Sequence, residues 1–139
     1  MKIHKLFLVS VLLFLSGCNL LGLGGTPPDD SEFDTPTRPT TGELTHTFKT
    51  EGFKLELFYE DAEFTYFGTM QTPTPCSEVQ VETLIAESFP EQVSINFTTK
   101  ESDEICIQVI GERTFSGTVT VDREASFSVR VNGQPISEV

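Results

Sequence analysis

From Leu44 onward, apolar and polar positions alternate with a period of two. Phe53, Leu55, Leu57 and Tyr59 alternate with Lys54, Glu56, Phe58 and Glu60. Phe64, Tyr66 and Gly68 alternate with Thr65, Phe67 and Thr69, and Val79 and Val81 with Glu78, Gln80 and Glu82. The pattern returns at Val93, Ile95 and Phe97, at Ile105, Ile107 and Val109, at Phe115, Val119 and Val121, and at Phe127, Val129 and Val131. Successive side chains of a strand point to opposite faces, so each run reads as a half-buried strand rich in β-branched and aromatic residues. Turn signals at Gly52, Asp61, residues 71–75, Phe89-Pro90, Lys100–Asp103, Gly111 and Asp122–Glu124 separate the runs. The spacing predicts seven or eight strands. Thr83–Ser88 fits either one helical turn or a bulge at Leu84-Ile85 in a long strand. Asn132-Gly133 is the strongest hairpin signal, because both residues tolerate positive φ.

Many short strands patterned on one face predict an all-β fold: a single antiparallel β-sandwich over residues 43–139, with an immunoglobulin-like arrangement or a small barrel as the alternative. The chain has no tryptophan, so the cysteine–tryptophan–cysteine spacing of immunoglobulin domains is absent.

The first residues follow a different pattern. After Lys2 and Lys5, the segment Leu6–Leu15 (LFLVSVLLFL) is almost wholly apolar. It is too short for the roughly 20 residues of a spanning helix and has the charge and length of a signal-peptide core. Small residues Ser16 and Gly17 and then Cys18 follow. Leu15-Ser16-Gly17-Cys18 resembles the lipobox of bacterial lipoproteins. The resemblance implies that residues 1–17 are cleaved as a signal peptide. It also implies that Cys18 carries a thioether-linked diacylglycerol and that the new amino terminus is acylated, commonly with palmitate. Two or three acyl chains hold a protein stably on a membrane without spanning it. The implied location is the cell envelope, at the outer membrane or the outer face of the plasma membrane. In Gram-negative lipoproteins an Asp after the lipidated cysteine commonly signals inner-membrane retention; Asn19 stands there instead.

Residues 18–42 read as a lipidated linker. Pro27, Pro28, Pro36 and Pro39 stand among threonines and acids, with too little apolar surface to offset the entropy of ordering. The expectation is a disordered, semi-stiff spacer up to about residue 42.

The formal net charge of the chain is −12, and cleavage would remove two lysines and no acid. Such a surface repels nucleic acid and anionic lipid head groups. With Cys18 assigned to lipid, Cys76 and Cys106 remain, and a pair in an exported chain reads as a disulfide.

Catalytic and metal motifs do not emerge. The sequence contains no G-x-S-x-G, H-E-x-x-H, C-x-x-C or Gly-rich phosphate loop. His46 is the only histidine after residue 18, and a thiol nucleophile would need Cys76 or Cys106 reduced. Glu101, Asp103 and Glu104 crowd one loop, which reads as a solvated turn or as the beginning of a calcium site. Asn96-Phe97-Thr98 fits a glycosylation sequon but falls within a strand. No cofactor and no metal site is expected.

Thr72-Pro73-Thr74-Pro75-Cys76 is a stiff connection, since its two prolines cannot donate to a ladder. Together with Cys106-Ile107-Gln108-Val109 it resembles small exported β domains, and loosely the protease-complex subunits of the PrcB type, across residues 70–131. That resemblance implies a β domain with a binding or inhibitory role. The expected function is therefore a non-enzymatic, membrane-tethered binding module with an envelope protein partner. A protease inhibitor or protease-complex assembly subunit is the alternative. The candidate binding loops are Thr72, Pro73, Thr74 and Pro75 with Glu101 and Asp103.

Overall fold

The computed structural model describes residues 35–139. The expected signal peptide, Cys18 and most of the linker lie outside the described residues.

Eight strands form two four-stranded sheets packed as a sandwich. One sheet joins β1 (Glu43–Thr50), β2 (Phe53–Glu60), β3 (Glu63–Thr72) and β6 (Gly111–Val119), in the order β1-β2-β3-β6. The other joins β4 (Glu78–Ala86), β5 (Gln92–Lys100), β7 (Ser126–Val131) and β8 (Gln134–Ile136), in the order β4-β5-β7-β8. The all-β sandwich of the sequence reading is thus the fold observed, with one departure. The β5–β7 pair is parallel, because the chain crosses to the first sheet as β6 between them. Along one side the sheets are joined by a bridge between Phe48 and Glu138 and by Val139 N–H donating to Thr47 O at 2.9 Å.

The turns follow from local chemistry. Asp61 and Ala62 link β2 to β3 at positive φ, and Asn132 (φ 47°) and Gly133 (φ 81°) make the anticipated hairpin between β7 and β8. β4 pairs with β5 without a register shift from Glu78 to Ala86, so Leu84-Ile85 is neither a helical turn nor a bulge. A register shift occurs instead in the other sheet, in β1 between Leu44 and His46.

The core is the set of inward positions of the period-two pattern. Leu55, Leu57, Phe64, Ile95 and Phe97 are fully buried. The Phe97 ring meets Phe53 at 5.1 Å and Phe115 at 4.5 Å between centroids. Each such side chain contributes roughly 1.5–3 kcal/mol by leaving water. Two cross-strand pairs of β3 and β6 have a glycine facing an aromatic residue: Tyr66 opposite Gly117, and Gly68 opposite Phe115. A Cβ on Gly117 would collide with the Tyr66 phenol, and one on Gly68 would stand 2.7 Å from the Phe115 ring. The aromatic rings occupy the space that the missing side chains leave.

Other sequence expectations fail. Ile105–Ile110 is not a strand, and Gly111 opens β6 rather than marking a turn. Continuing the β3–β6 register past Thr72↔Gly111 would set this segment against Pro73-Thr74-Pro75, where two prolines carry no N–H. The ladder ends there, and Cys106 consequently lies in a loop. Disorder anticipated up to residue 42 is not seen at Arg38, which is docked on β2. Arg38 Nε donates to Glu56 Oε2 at 3.0 Å, and its guanidinium stands 4.8 Å from the Phe58 ring centroid. This contact helps bury Phe58 although it faces away from the core.

Candidate functional site

The disulfide end of the sandwich is built from the close of β3. Thr72 is buried, and its hydroxyl donates to Thr74 O at 2.8 Å. Thr74 Oγ1 and Ser77 Oγ are 3.0 Å apart, and Ser77 N–H donates to Thr74 O at 3.2 Å. Arg113, on β6, donates through Nε to Ser77 O at 2.9 Å and through Nη2 to Pro75 O. The prolines leave these carbonyls without ladder partners, and the guanidinium satisfies two of them. Gly111 is required at this crossing: a Cβ would come within 2.8 Å of both Pro75 Cα and Thr72 Oγ1. The connection between β3 and β4 is therefore held by its own hydrogen bonds and by β6.

Cys76 and Cys106 form the expected disulfide, with their Cα atoms 6.1 Å apart. It ties the β3–β4 connection to the long loop between β5 and β6. The sequence-predicted binding residues are thereby brought together in part. Pro73, Thr74, Glu101, Glu104 and Gln108 border a small cleft of about 120 Å³. Asp103 is exposed, Thr72 is buried, and neither lines it. Pro75 has its carbonyl on Arg113. Among the described residues no three His, Cys, Asp or Glu side chains are grouped to hold a metal ion. Glu101, Asp103 and Glu104 do not assemble as a cation site.

What the sequence reading missed lies next to this cleft. Ile105 is fully exposed, Ile107 is 68% exposed and Ile110 72%, with Val109 half-exposed. Four apolar side chains on one loop are unlike the scattered exposed leucines of an ordinary surface. The signal was present in the prolines at positions 73 and 75: a β-branched run whose neighbour cannot pair has no sheet to enter.

The remaining candidates sit elsewhere. His46 faces the interior side of β1, with Nδ1 2.8 Å from Glu138 Oε1 and its ring beside Phe127. Cys76 and Cys106 are bound to each other, so neither offers a thiol to this imidazole. Asn96 lies within β5, paired with Glu82 and Arg130. On the outer face of β2, Glu56 is buried beneath Arg38 and Lys54. The hydrogen bond from Arg38 holds its carboxyl below the usual range; burial opposes this, and Lys54 adds to it.

No protein-family model, no curated protein and no solved structure matches this chain.

Proposed function

We propose that the chain is a lipid-tethered protein of the cell envelope whose β-sandwich is a non-catalytic binding module, with the disulfide end as its contact surface. The observation that carries this reading is the apolar run Ile105, Ile107, Val109 and Ile110, exposed on a loop fixed by a disulfide. Loops presented by a rigid scaffold are where recognition concentrates, and a preformed surface loses less entropy on binding. The tether fits this orientation. β1 begins at Glu43 opposite Tyr59, whereas β3 meets Gly111 at Thr72, its other end. Along the ten residues of β3 these ends are roughly 30 Å apart. A chain anchored through Cys18 would enter the domain at one end and present Ile107 at the other. The disulfide is consistent with an oxidising compartment.

The test is a photo-crosslinking residue placed at Ile107 in living cells, with a second at Glu124, in the loop after β6, as the control. The expected result is one discrete adduct from position 107 and none from 124. Equal labelling at both positions, or none, would remove the disulfide end as the contact surface. Intact mass of the protein taken from membranes tests the anchor: a chain beginning at Cys18 with added acyl mass is expected, and an unlipidated mass would overturn the tether.

A second reading rests on the stiffness of Thr72–Ser77. A loop braced by its own hydrogen bonds, by Arg113 and by a disulfide has the preorganisation of a protease inhibitor's binding loop. Inhibition of an envelope protease at micromolar concentration, lost on Pro73→Gly, would favour it; unchanged protease activity would remove the inhibitor form.

A further inference from the structure

We propose that the partner at this surface is a segment of another protein that combines apolar side chains with a lysine or arginine: the apolar residues cover Ile105, Ile107, Val109 and Ile110, and the cation enters the cleft bordered by Glu101 and Glu104. This inference rests on the disulfide end being the contact surface and names the chemistry of what it contacts.

The charge beside the apolar run decides the occupant. Glu101, Asp103 and Glu104 lie within a few residues of Ile105, and two of their carboxylates border the cleft beside Pro73 and Thr74. Among the described residues none of the three forms an ion pair. The nearby cations are otherwise placed. Lys100, at the end of the β4–β5 ladder, does not line the cleft, and Arg113 is turned onto the carbonyls of Pro75 and Ser77. The cleft therefore keeps a negative potential, and its volume of about 120 Å³ has room for a single cationic head group. Charge pairs at the rim of an apolar contact steer encounter, set register and exclude wrong partners more than they add affinity.

The same charges argue against a second copy of this chain. If two Ile105–Ile110 segments paired antiparallel about their centre, Asp103 of one copy would face Glu112 of the other. Two chains of net charge −12 would also repel each other at long range. A lipid surface is a poor occupant for a similar reason, since the acids flanking the apolar run meet anionic head groups.

The probe is a fluorescein-labelled peptide, Arg-Val-Thr-Val-Arg-Thr-Val, titrated with the full chain while anisotropy is read. Two control peptides replace either both arginines by glutamate or all three valines by serine. The expected result is saturable binding of the first peptide alone. It should weaken at least tenfold in an Ile105→Ser/Ile107→Ser variant. It should weaken about fivefold, with a shallower salt dependence, in a Glu101→Gln/Glu104→Gln variant. All these side chains are exposed or line an open cleft, so the variants fold, and circular dichroism verifies it. Equal binding of the serine peptide would mean diffuse attraction to an acidic protein and would overturn the proposal. So would the absence of binding, or sedimentation of the chain as a dimer that the isoleucine variant dissociates. If the peptide fails while the adduct at position 107 forms, the contact surface stands and its assigned chemistry falls.

Discussion

Strands β3 and β6 run side by side from Phe64↔Val119 to Thr72↔Gly111, and beyond that pair the two segments remain linked without a ladder. The two regions are held by different means. Within the ladder, backbone hydrogen bonds fix the spacing, and Tyr66 and Phe115 each lie over the glycine opposite. Past Thr72, two prolines remove donors, Arg113 takes over the stranded carbonyls, and a disulfide replaces the cross-strand bonds. A ladder lies against the other sheet and so buries the inward half of what it pairs. A covalent link imposes no such burial, so the segment beyond it leaves Ile105, Ile107, Val109 and Ile110 in water. The difference teaches that the disulfide does more than stabilise: it lets a sandwich hold an apolar surface outside its core.

Removing the covalent link should produce the largest change. Cys76 and Cys106 are 30 residues apart in sequence, and closing a loop of that size constrains the unfolded chain by about 3–4 kcal/mol. A Cys76→Ser/Cys106→Ser variant should lose about that much in urea denaturation. Hydrogen exchange should show the Phe64–Thr72 amides still protected, with Ser77 newly exposed. Loss of protection along the whole of β3 would mean that the disulfide supports the ladder too.

The ladder itself is broken from inside. Gly117→Ala places a methyl group into the Tyr66 phenol, and overpacking of this kind costs about 1–3 kcal/mol. A Tyr66→Phe/Gly117→Ala pair should recover part of the loss, since the atoms met by the new Cβ include the phenol oxygen. If Gly117→Ala is neutral, the ring is not fixed by the space the glycine leaves.

Much of this fold was legible in the alternation of residues, and the reason is physical. Phe53, Leu55 and Leu57, like Val93, Ile95 and Phe97, have only one buried face available, so period two and burial coincide. The disulfide was legible because two cysteines remained after the first was assigned. The Ile105–Ile110 loop was not, since alternation reports competence for a strand and not the presence of a neighbour with free donors. Phe58 and Glu56 were hidden for another reason: both are outward positions covered by Arg38, a residue that composition assigns to the linker. The parallel β5–β7 pair depends on a crossover that no local pattern encodes. Of the candidate site, the stiffness of Thr72–Pro75, the acidity near Glu101 and, through the Cys76–Cys106 pairing, their proximity could be read beforehand; the cleft between them could not.

Glu56 sharpens the contrast, because it is an outward contact that has a partner. Arg38 and Lys54 hold its carboxyl below the usual range. A depressed folded value means stability that is present above the unfolded carboxylate value near 4.3 and lost as pH falls through the folded one. Glu56→Gln should therefore cost about 1 kcal/mol at neutral pH. The gap to the parent should narrow as pH falls through the lowered value of the folded carboxyl and close once Glu56 is protonated in both states. A gap independent of pH would show that Glu56 acts through packing alone.

The smallest effect is expected on the exposed loop. Ile107→Ser changes a side chain that is 68% exposed and on no ladder, so its stability should stay within about 0.5 kcal/mol of the parent. A core side chain of similar size, Ile95, is fully buried, and Ile95→Val should already cost about 0.5–1.5 kcal/mol. The two variants measured together by urea denaturation separate what the sandwich needs for folding from what it carries on its surface. If Ile107→Ser destabilises as much as Ile95→Val, the loop packs in solution against its own domain, and the surface it offers to a partner is not free. If it is neutral in stability but removes the adduct at the disulfide end, this isoleucine serves recognition rather than folding.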